Sequence, residues 1–115
     1  MEVSFILSTD EVFTLISLMD TQTEDGKKFV TEALAGGKIN DLSGLVEKKL
    51  AVIKEDEIEL VPVMKMIVDT IANADRAISH DNHWEICSEW VILRCERYPY
   101  KEEHWKISPV KGAVD

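Results

Sequence analysis

The chain has 115 residues and a formal net charge of −9, with 45% hydrophobic and 30% charged residues. This length fits one domain, the composition excludes a largely disordered chain, and the acidic balance disfavours a nucleic-acid partner. No apolar run reaches the roughly 20 residues needed to span a bilayer, and the first residues lack the basic segment and cleavage site of a signal peptide. The sequence therefore predicts a single cytoplasmic domain over residues 1–115, without a membrane partner.

Three helices are predicted in the first part of the chain, after a short apolar strand at 2–7. Ser8 and Glu11 form a capping-box pattern at the start of the first helix. The second helix ends at Gly36, because glycine adopts the left-handed conformation common at helix ends. Asn40 or Asp41 caps the third, short amphipathic helix. The predicted helices cover 9–20, 23–35 and 41–50.

A small hairpin and a long helix are predicted next. Two apolar segments, Ala51–Ile53 and Ile58–Val61, flank the acidic segment Lys54–Glu57, which indicates an antiparallel hairpin with a solvated tip. Pro62 suits the first position of a helix, where its missing amide is not needed. Apolar residues then recur at helical spacing as far as Ile78, which predicts a main core helix of about four turns.

The C-terminal part is predicted to form strands. Alternation of side chains over Glu89–Arg97 predicts one strand, with Leu93 and Cys95 on one face. The segment His104–Ser108 is its predicted partner, and residues 111–115 are predicted to be a frayed tail.

Together these elements predict an α+β domain with a winged-helix-like core: three helices, a two-stranded wing, a long fourth helix and a C-terminal aromatic β-hairpin. Residues 1–78 form the mainly helical part and 79–110 the hairpin part. This order raises an alternative function, a winged-helix transcriptional regulator that binds DNA or has lost DNA binding. The helix 41–50 that would enter a groove has no net charge and the wing tip is acidic, so we expect no nucleic-acid partner.

One set of side chains could ligate a metal. His80, His83 and Cys87 fall at a spacing that could turn nitrogen and thiolate donors toward zinc, with Cys95 or His104 as a fourth ligand. The spacing matches no paired zinc signature, and two loop histidines beside a buried cysteine explain it as well. A Cys–His catalytic pair stays open, but the cysteines lie in an apolar alternation. No phosphate-binding or hydrolase motif occurs, so we expect no enzyme, catalytic residue, metal or cofactor.

Large aromatic side chains concentrate between residues 84 and 105. Rings with neighbouring arginines are the composition enriched at protein–protein interfaces, although a small sheet also needs such side chains to seal itself onto a helix. The predicted strand is apolar on both faces, and a sheet hides only one face in its own domain. We therefore expect this sheet to bind a partner protein or a second copy of the chain. The residues expected to do so are Trp84, Trp90, Ile92, Arg94, Tyr98, Tyr100 and Trp105.

The segments LVEKKLAVIKEDEIELVP and IVDTIANADRAI, followed by aromatic-bearing strands, carry a resemblance to a known family. In the order of its elements over roughly Glu2–Pro109, the chain resembles the N-terminal half of the chaperone and adaptor proteins encoded with type VII (ESX) secretion systems. The resemblance implies recognition in the cytoplasm of a secreted partner or a secretion component, without catalysis. The chain is shorter than those chaperones and lacks their second half, so no binding residue is carried over.

Overall fold

The computed structural model describes residues 4–19, 22–89 and 91–110. The predicted tail at 111–115 and Trp90 lie outside the described residues. No helix among the described residues is long and apolar enough to cross a bilayer. In chain order the elements are β1 (Phe5–Ser8), α1 (Thr9–Ser17), α2 (Glu24–Ala33), α3 (Ser43–Glu47), β2 (Ala51–Lys54), β3 (Glu57–Leu60), α4 (Pro62–Ala72), β4 (Arg76–Ser79), β5 (His83–Cys87), β6 (Ile92–Arg97) and β7 (His104–Val110).

Five strands form one antiparallel sheet in the order β1-β7-β6-β5-β4, so the first strand pairs with the last, with Leu7 opposite Trp105. Alternate residues of each strand point to the inner face, which packs into the core with the helices. The outer face carries ion pairs of Glu96 with Arg94 (3.4 Å) and with Lys106 (3.9 Å), as a solvated sheet face does. The buried side chains of the inner face are Leu7, Ala77, Trp84, Ile86, Leu93, Cys95, Trp105 and Ile107.

Three of the four predicted helix starts are confirmed, but the predicted cap of the third helix at Asn40 or Asp41 is wrong, because α3 begins at Ser43 after Leu42 and has no side-chain cap. The Ser8 hydroxyl accepts from the amide of Glu11 (3.0 Å), and the Glu11 carboxylate accepts from the amide of Ser8 (2.8 Å). The Thr23 hydroxyl caps α2 by accepting from the amide of Gly26 (3.0 Å), and Pro62 is the first residue of α4. Local hydrogen bonding and the fixed proline φ thus set three helix starts.

The winged-helix architecture predicted from the sequence is wrong, although the chain does mix helices and strands. The predicted four-turn helix ends at Ala72, and residues 76–79 form the edge strand β4. The third helix is shorter than predicted and ends at Glu47. Residues 76–110 contribute four strands to the large sheet, and β1, which overlaps the strand predicted at 2–7, completes it by pairing with β7. Local periodicity could not show that β1 pairs with β7, because these two strands lie at opposite ends of the chain.

The start of α2 fits closely against the end of α4. The amide of Thr23 donates to the Ala72 carbonyl (2.9 Å), and its hydroxyl donates to the Ala74 carbonyl (2.7 Å). A Cβ added at Gly26 would overlap the Ala72 carbonyl oxygen and lie 2.9 Å from its carbon. Glycine is therefore required at this contact, which holds α2 over the inner face of the sheet.

The turn between β2 and β3 places two side-chain-bearing residues in the left-handed region. Glu55 has a φ of 50° and Asp56 a φ of 66°, the two positive values of a type I′ turn, which favours Asn-Gly. We expect E55N/D56G to raise the free energy of unfolding by about 1 kcal/mol, because the left-handed conformation costs an L-residue roughly 1–2 kcal/mol. Urea denaturation measures it, and E55Q, which removes a charge but keeps its residue strained, should give a smaller gain. A double variant less stable than the wild type would contradict this turn geometry.

Candidate interaction site

Two of the three tryptophans predicted to form a docking surface lie in the core. Trp84 and Trp105 are 8% and 3% exposed, and both rings meet Phe29 edge-on, at centroid distances of 5.3 and 6.0 Å. The indole N–H of Trp105 donates to the Thr9 hydroxyl (3.0 Å), and the Arg97 guanidinium lies 4.5 Å from its ring centroid. The prediction that these two rings form part of a docking surface is therefore wrong. They pack in the core, between the sheet and helices α1 and α2.

The other predicted docking residues are dispersed. Ile92 is half-buried and Arg94 is exposed, both on the outer face of β6. Tyr98 and Tyr100 contact each other edge-on at 5.4 Å in the β6–β7 connection, and Tyr100 is 84% exposed. Trp90 lies outside the described residues. The six described residues are thus divided among the core, the outer face and a loop.

The candidate metal ligands do not converge. The rings of His80 and His83 stack with centroids 4.5 Å apart, while Cys87 lies four residues further along β5. Cys95 points to the opposite, inner face and is buried. Among the residues that the structure describes, no group of three His, Cys, Asp or Glu side chains is placed to hold a metal ion. Desolvation, with the positive charges of Arg94 and His80, lowers the pKa of His83 and favours its neutral ring.

The two cysteines are expected to differ in reactivity. Burial raises the pKa of the Cys95 thiol to about 12, and partial burial together with the Glu85 carboxylate raises the pKa of Cys87. Because the thiolate is the nucleophile, iodoacetamide at pH 8 should label half-buried Cys87 slowly and Cys95 only after unfolding, with the Cys87 rate rising as pH rises. Peptide mapping by mass spectrometry measures this. Equal labelling rates in the native protein would contradict the buried position of Cys95.

An open groove of about 1050 Å³ lies between the end of α1, strand β3 and α4. Leu18 and Ile58 in this groove are 67% and 39% exposed. Eight large apolar side chains of the described residues are exposed, and five of them lie at the end of α1, on the hairpin or at the start of α4. The elements around the groove therefore carry most of the exposed large apolar side chains of the described chain, and Leu18 and Ile58 line the groove itself. Apolar residues that line the groove include Leu18, Met19, Ile58, Leu60, Pro62 and Met66.

The free edge of β3 is a second feature of the groove. The amide of Val61 donates to the carbonyl of Leu50 (3.0 Å), which fixes the hydrogen-bonded pairs of the hairpin. Since these pairs alternate along an antiparallel ladder, the N–H and C=O groups of Ile58 and Leu60 point away from β2. The hairpin is a two-stranded sheet, so no strand of the described chain pairs with this edge. The groove thus offers backbone donors and acceptors together with apolar side chains.

Both edges of the large sheet are covered by side chains. On β4, the Ala77 amide donates to the Asp25 carboxylate (2.9 Å), and its carbonyl accepts from Lys28 (3.5 Å). On β1, the Ile6 carbonyl accepts from Lys48 (2.9 Å), which also forms an ion pair with the buried Glu11 (3.2 Å). Such contacts block the addition of another strand. The β3 edge has no comparable contact among the described hydrogen bonds and ion pairs.

The groove and the hairpin tip are acidic. Among the described residues, Glu59 and Asp69 line the groove with a single base, Lys65. The turn and the start of β3 add Glu55, Asp56 and Glu57, and Lys54 offsets only part of this charge through its ion pair with Glu59 (3.6 Å). A ligand with basic groups beside an apolar stripe complements this surface.

The sequence reasoning missed the groove because it interpreted the hairpin as the wing of a winged-helix-like core. A usable signal was present. Ile53 and Ile58 are apolar and directly opposite each other near the tip of a hairpin only four residues long on each side. Such a pair, so far from the predicted core, indicates an apolar surface that the domain itself does not cover.

The resemblance to type VII secretion chaperones concerns the order of elements and carries over no residue of this groove. It stays a prediction. A comparison of the chain with protein-family models, curated proteins and solved structures finds no match.

Proposed function

We propose that this chain is a protein-interaction module that binds a segment of a partner protein in the groove between α1, β3 and α4. The observation that carries the proposal is the exposure of Leu18 and Ile58 beside the uncovered edge of β3. Apolar side chains next to free backbone groups are the features by which peptide-binding domains gain affinity. This surface replaces the aromatic sheet as the expected docking site.

The charge of the site favours a basic protein segment over nucleic acid and over a second copy of the chain. Phosphate groups would meet Glu59 and Asp69 at the groove and three acids at the hairpin tip. Two copies joined through their grooves would bring the same acidic groups together. A partner with Lys or Arg beside apolar residues has no such penalty.

A role beside a secretion system, as chaperone or adaptor, rests on the resemblance in element order alone. Under this proposal the groove would hold a segment of the secreted partner or of a secretion component. The regulator alternative loses its structural premise, because the winged-helix architecture is wrong.

Peptide selection with groove variants tests the proposal. Peptides selected from a random display library against the wild-type protein should bind about tenfold more weakly or worse to L18D and to I58D, because a carboxylate would replace an exposed apolar contact. Y100D is the matched control, since Tyr100 is 84% exposed and lies outside the groove. Circular dichroism checks that all three variants stay folded.

Two results would overturn the proposal. One is a set of selected peptides whose affinity falls with Y100D and not with the two groove variants. The other is a selection that yields no peptide dependent on Leu18 or Ile58.

A further inference from the structure

We infer that the segment bound in the groove is an extended strand that pairs with the free edge of β3, and that its side chains alternate between apolar and basic. This inference rests on the proposed function and specifies the conformation and chemistry of the partner. It follows from the direction of the β3 backbone groups, the course of the groove and the two faces of the hairpin.

The groove runs along the edge of β3 rather than over one face of the hairpin. Ile58, Glu59 and Leu60 are consecutive, and successive strand residues point to opposite faces, yet all three line the groove. No residue of β2, which is described in full, lines it. A ligand in the groove therefore lies beside β3, level with its backbone.

A partner segment bound as a strand would form hydrogen bonds with the outward backbone groups of β3, whereas a bound helix would bury these groups without partners. The N–H and C=O of Ile58 and Leu60 point into the groove, as the hairpin register requires. A helix has no backbone groups free along its length, so it would remove these donors and acceptors from water without replacing their hydrogen bonds, at a cost of roughly 1–3 kcal/mol for each buried group. An added strand pairs with each of them.

The two faces of the hairpin define the side chains of the added strand. One face presents Ile53, Ile58 and Leu60, while the other presents Glu57 and Glu59 on β3, beside which the added strand would lie, and Val52 and Lys54 on β2. Side chains of a third strand would alternate between these faces. Apolar residues on the first face and Lys or Arg on the second complement them.

A synthetic peptide of about eight residues in which Val and Lys alternate is the probe, a length typical of strands. We expect it to bind at least about tenfold more tightly than the same peptide with Glu in place of Lys. Methylation of single backbone amides should weaken binding about tenfold at every second position and within about twofold at the positions between, because only alternate amides of a strand face β3.

A change in the protein gives a second measurement. I58P removes the outward amide of Ile58 without removing a hydrogen bond of the hairpin, and it should weaken peptide binding about tenfold. The control I58V keeps this amide and should change the affinity for the peptide by no more than about twofold. If I58P unfolds the hairpin, the methylation series decides, because it alters only the peptide.

Equal losses on methylation at successive positions, or equal affinity for the Lys and Glu peptides, would overturn the inference. If display-selected peptides still depend on Leu18 and Ile58, such a result rejects the strand and leaves the interaction module standing. If the selected peptides do not depend on Leu18 and Ile58, both the bound strand and the interaction module are rejected.

Discussion

Replacing Gly26 by alanine is expected to lower the free energy of unfolding by about 2–3 kcal/mol, the cost typical of an overpacked contact. In an unconstrained helix the same change would stabilise by roughly 0.5–1 kcal/mol, since glycine is a poor helix former. The new Cβ would overlap the Ala72 carbonyl oxygen, which already accepts from the amide of Thr23. Because the Cβ would overlap a main-chain atom, which cannot rotate away as a side chain can, helices α2 and α4 would have to move apart. Urea denaturation followed by circular dichroism measures the change.

The matched control for this variant is T31A, an exposed position in the same helix. It should leave stability unchanged within about 0.5 kcal/mol, as surface substitutions usually do. If G26A were as stable as the wild type or more so, α2 and α4 could not be in backbone contact, and the placement of α2 over the sheet would be wrong.

Replacing Phe29 by alanine is expected to lower the free energy of unfolding by about 3–5 kcal/mol. The ring is 1% exposed and meets Trp84 and Trp105 edge-on, so its loss removes two aromatic contacts and leaves a cavity between the sheet and α2. Tryptophan fluorescence during urea denaturation reports this environment directly.

The control for F29A is Y100A, which removes a ring that is 84% exposed and should change stability by less than about 0.5 kcal/mol. A loss below about 1 kcal/mol for F29A would show that Trp84 and Trp105 are not packed around it. The two tryptophans would then be candidates for the surface once more.

The sequence predicted well those features that depend on neighbouring residues. The capping box of Ser8 and Glu11, the Thr23 cap and the first position of Pro62 act within a few residues, and α1, α2 and α4 start where these patterns indicate. The start of α3 was not predicted, because Leu42 and not Asn40 or Asp41 precedes it. The hairpin was also predicted within one residue at the end of each strand, because its apolar segments flank an acidic turn.

Features that depend on distant pairing were not predictable in this way. Ala74 and Ile78 are four residues apart, which suits one face of a helix, but Ala77 and Ile78 equally suit the inner and outer faces of a strand. Pairing of β4 with β5 decides between these patterns. The same limit applies to β1, whose partner β7 lies at the other end of the chain.

The candidate site was the part least accessible from sequence. Composition marked Trp84 and Trp105 as interface residues, yet a sheet of five strands needs large side chains on its inner face, and both are used there. The exposure of Leu18 and Ile58 depends on how α1 and the hairpin are placed relative to each other. No local sequence pattern predicts this placement. The direction of the β3 backbone groups follows from the register of the hairpin, which is known only once the strands pair.

Hydrogen exchange of the β3 amides in the presence of the Val-Lys peptide measures whether a bound strand pairs with the free edge of β3. In the free protein the amides of Ile58 and Leu60 point into the open groove and should exchange rapidly. We predict that saturating peptide slows exchange at these two amides by about tenfold or more, with the amide of Tyr100 unchanged. Exchange at Ile58 and Leu60 that stays as fast in the saturated complex as in the free protein would contradict the account.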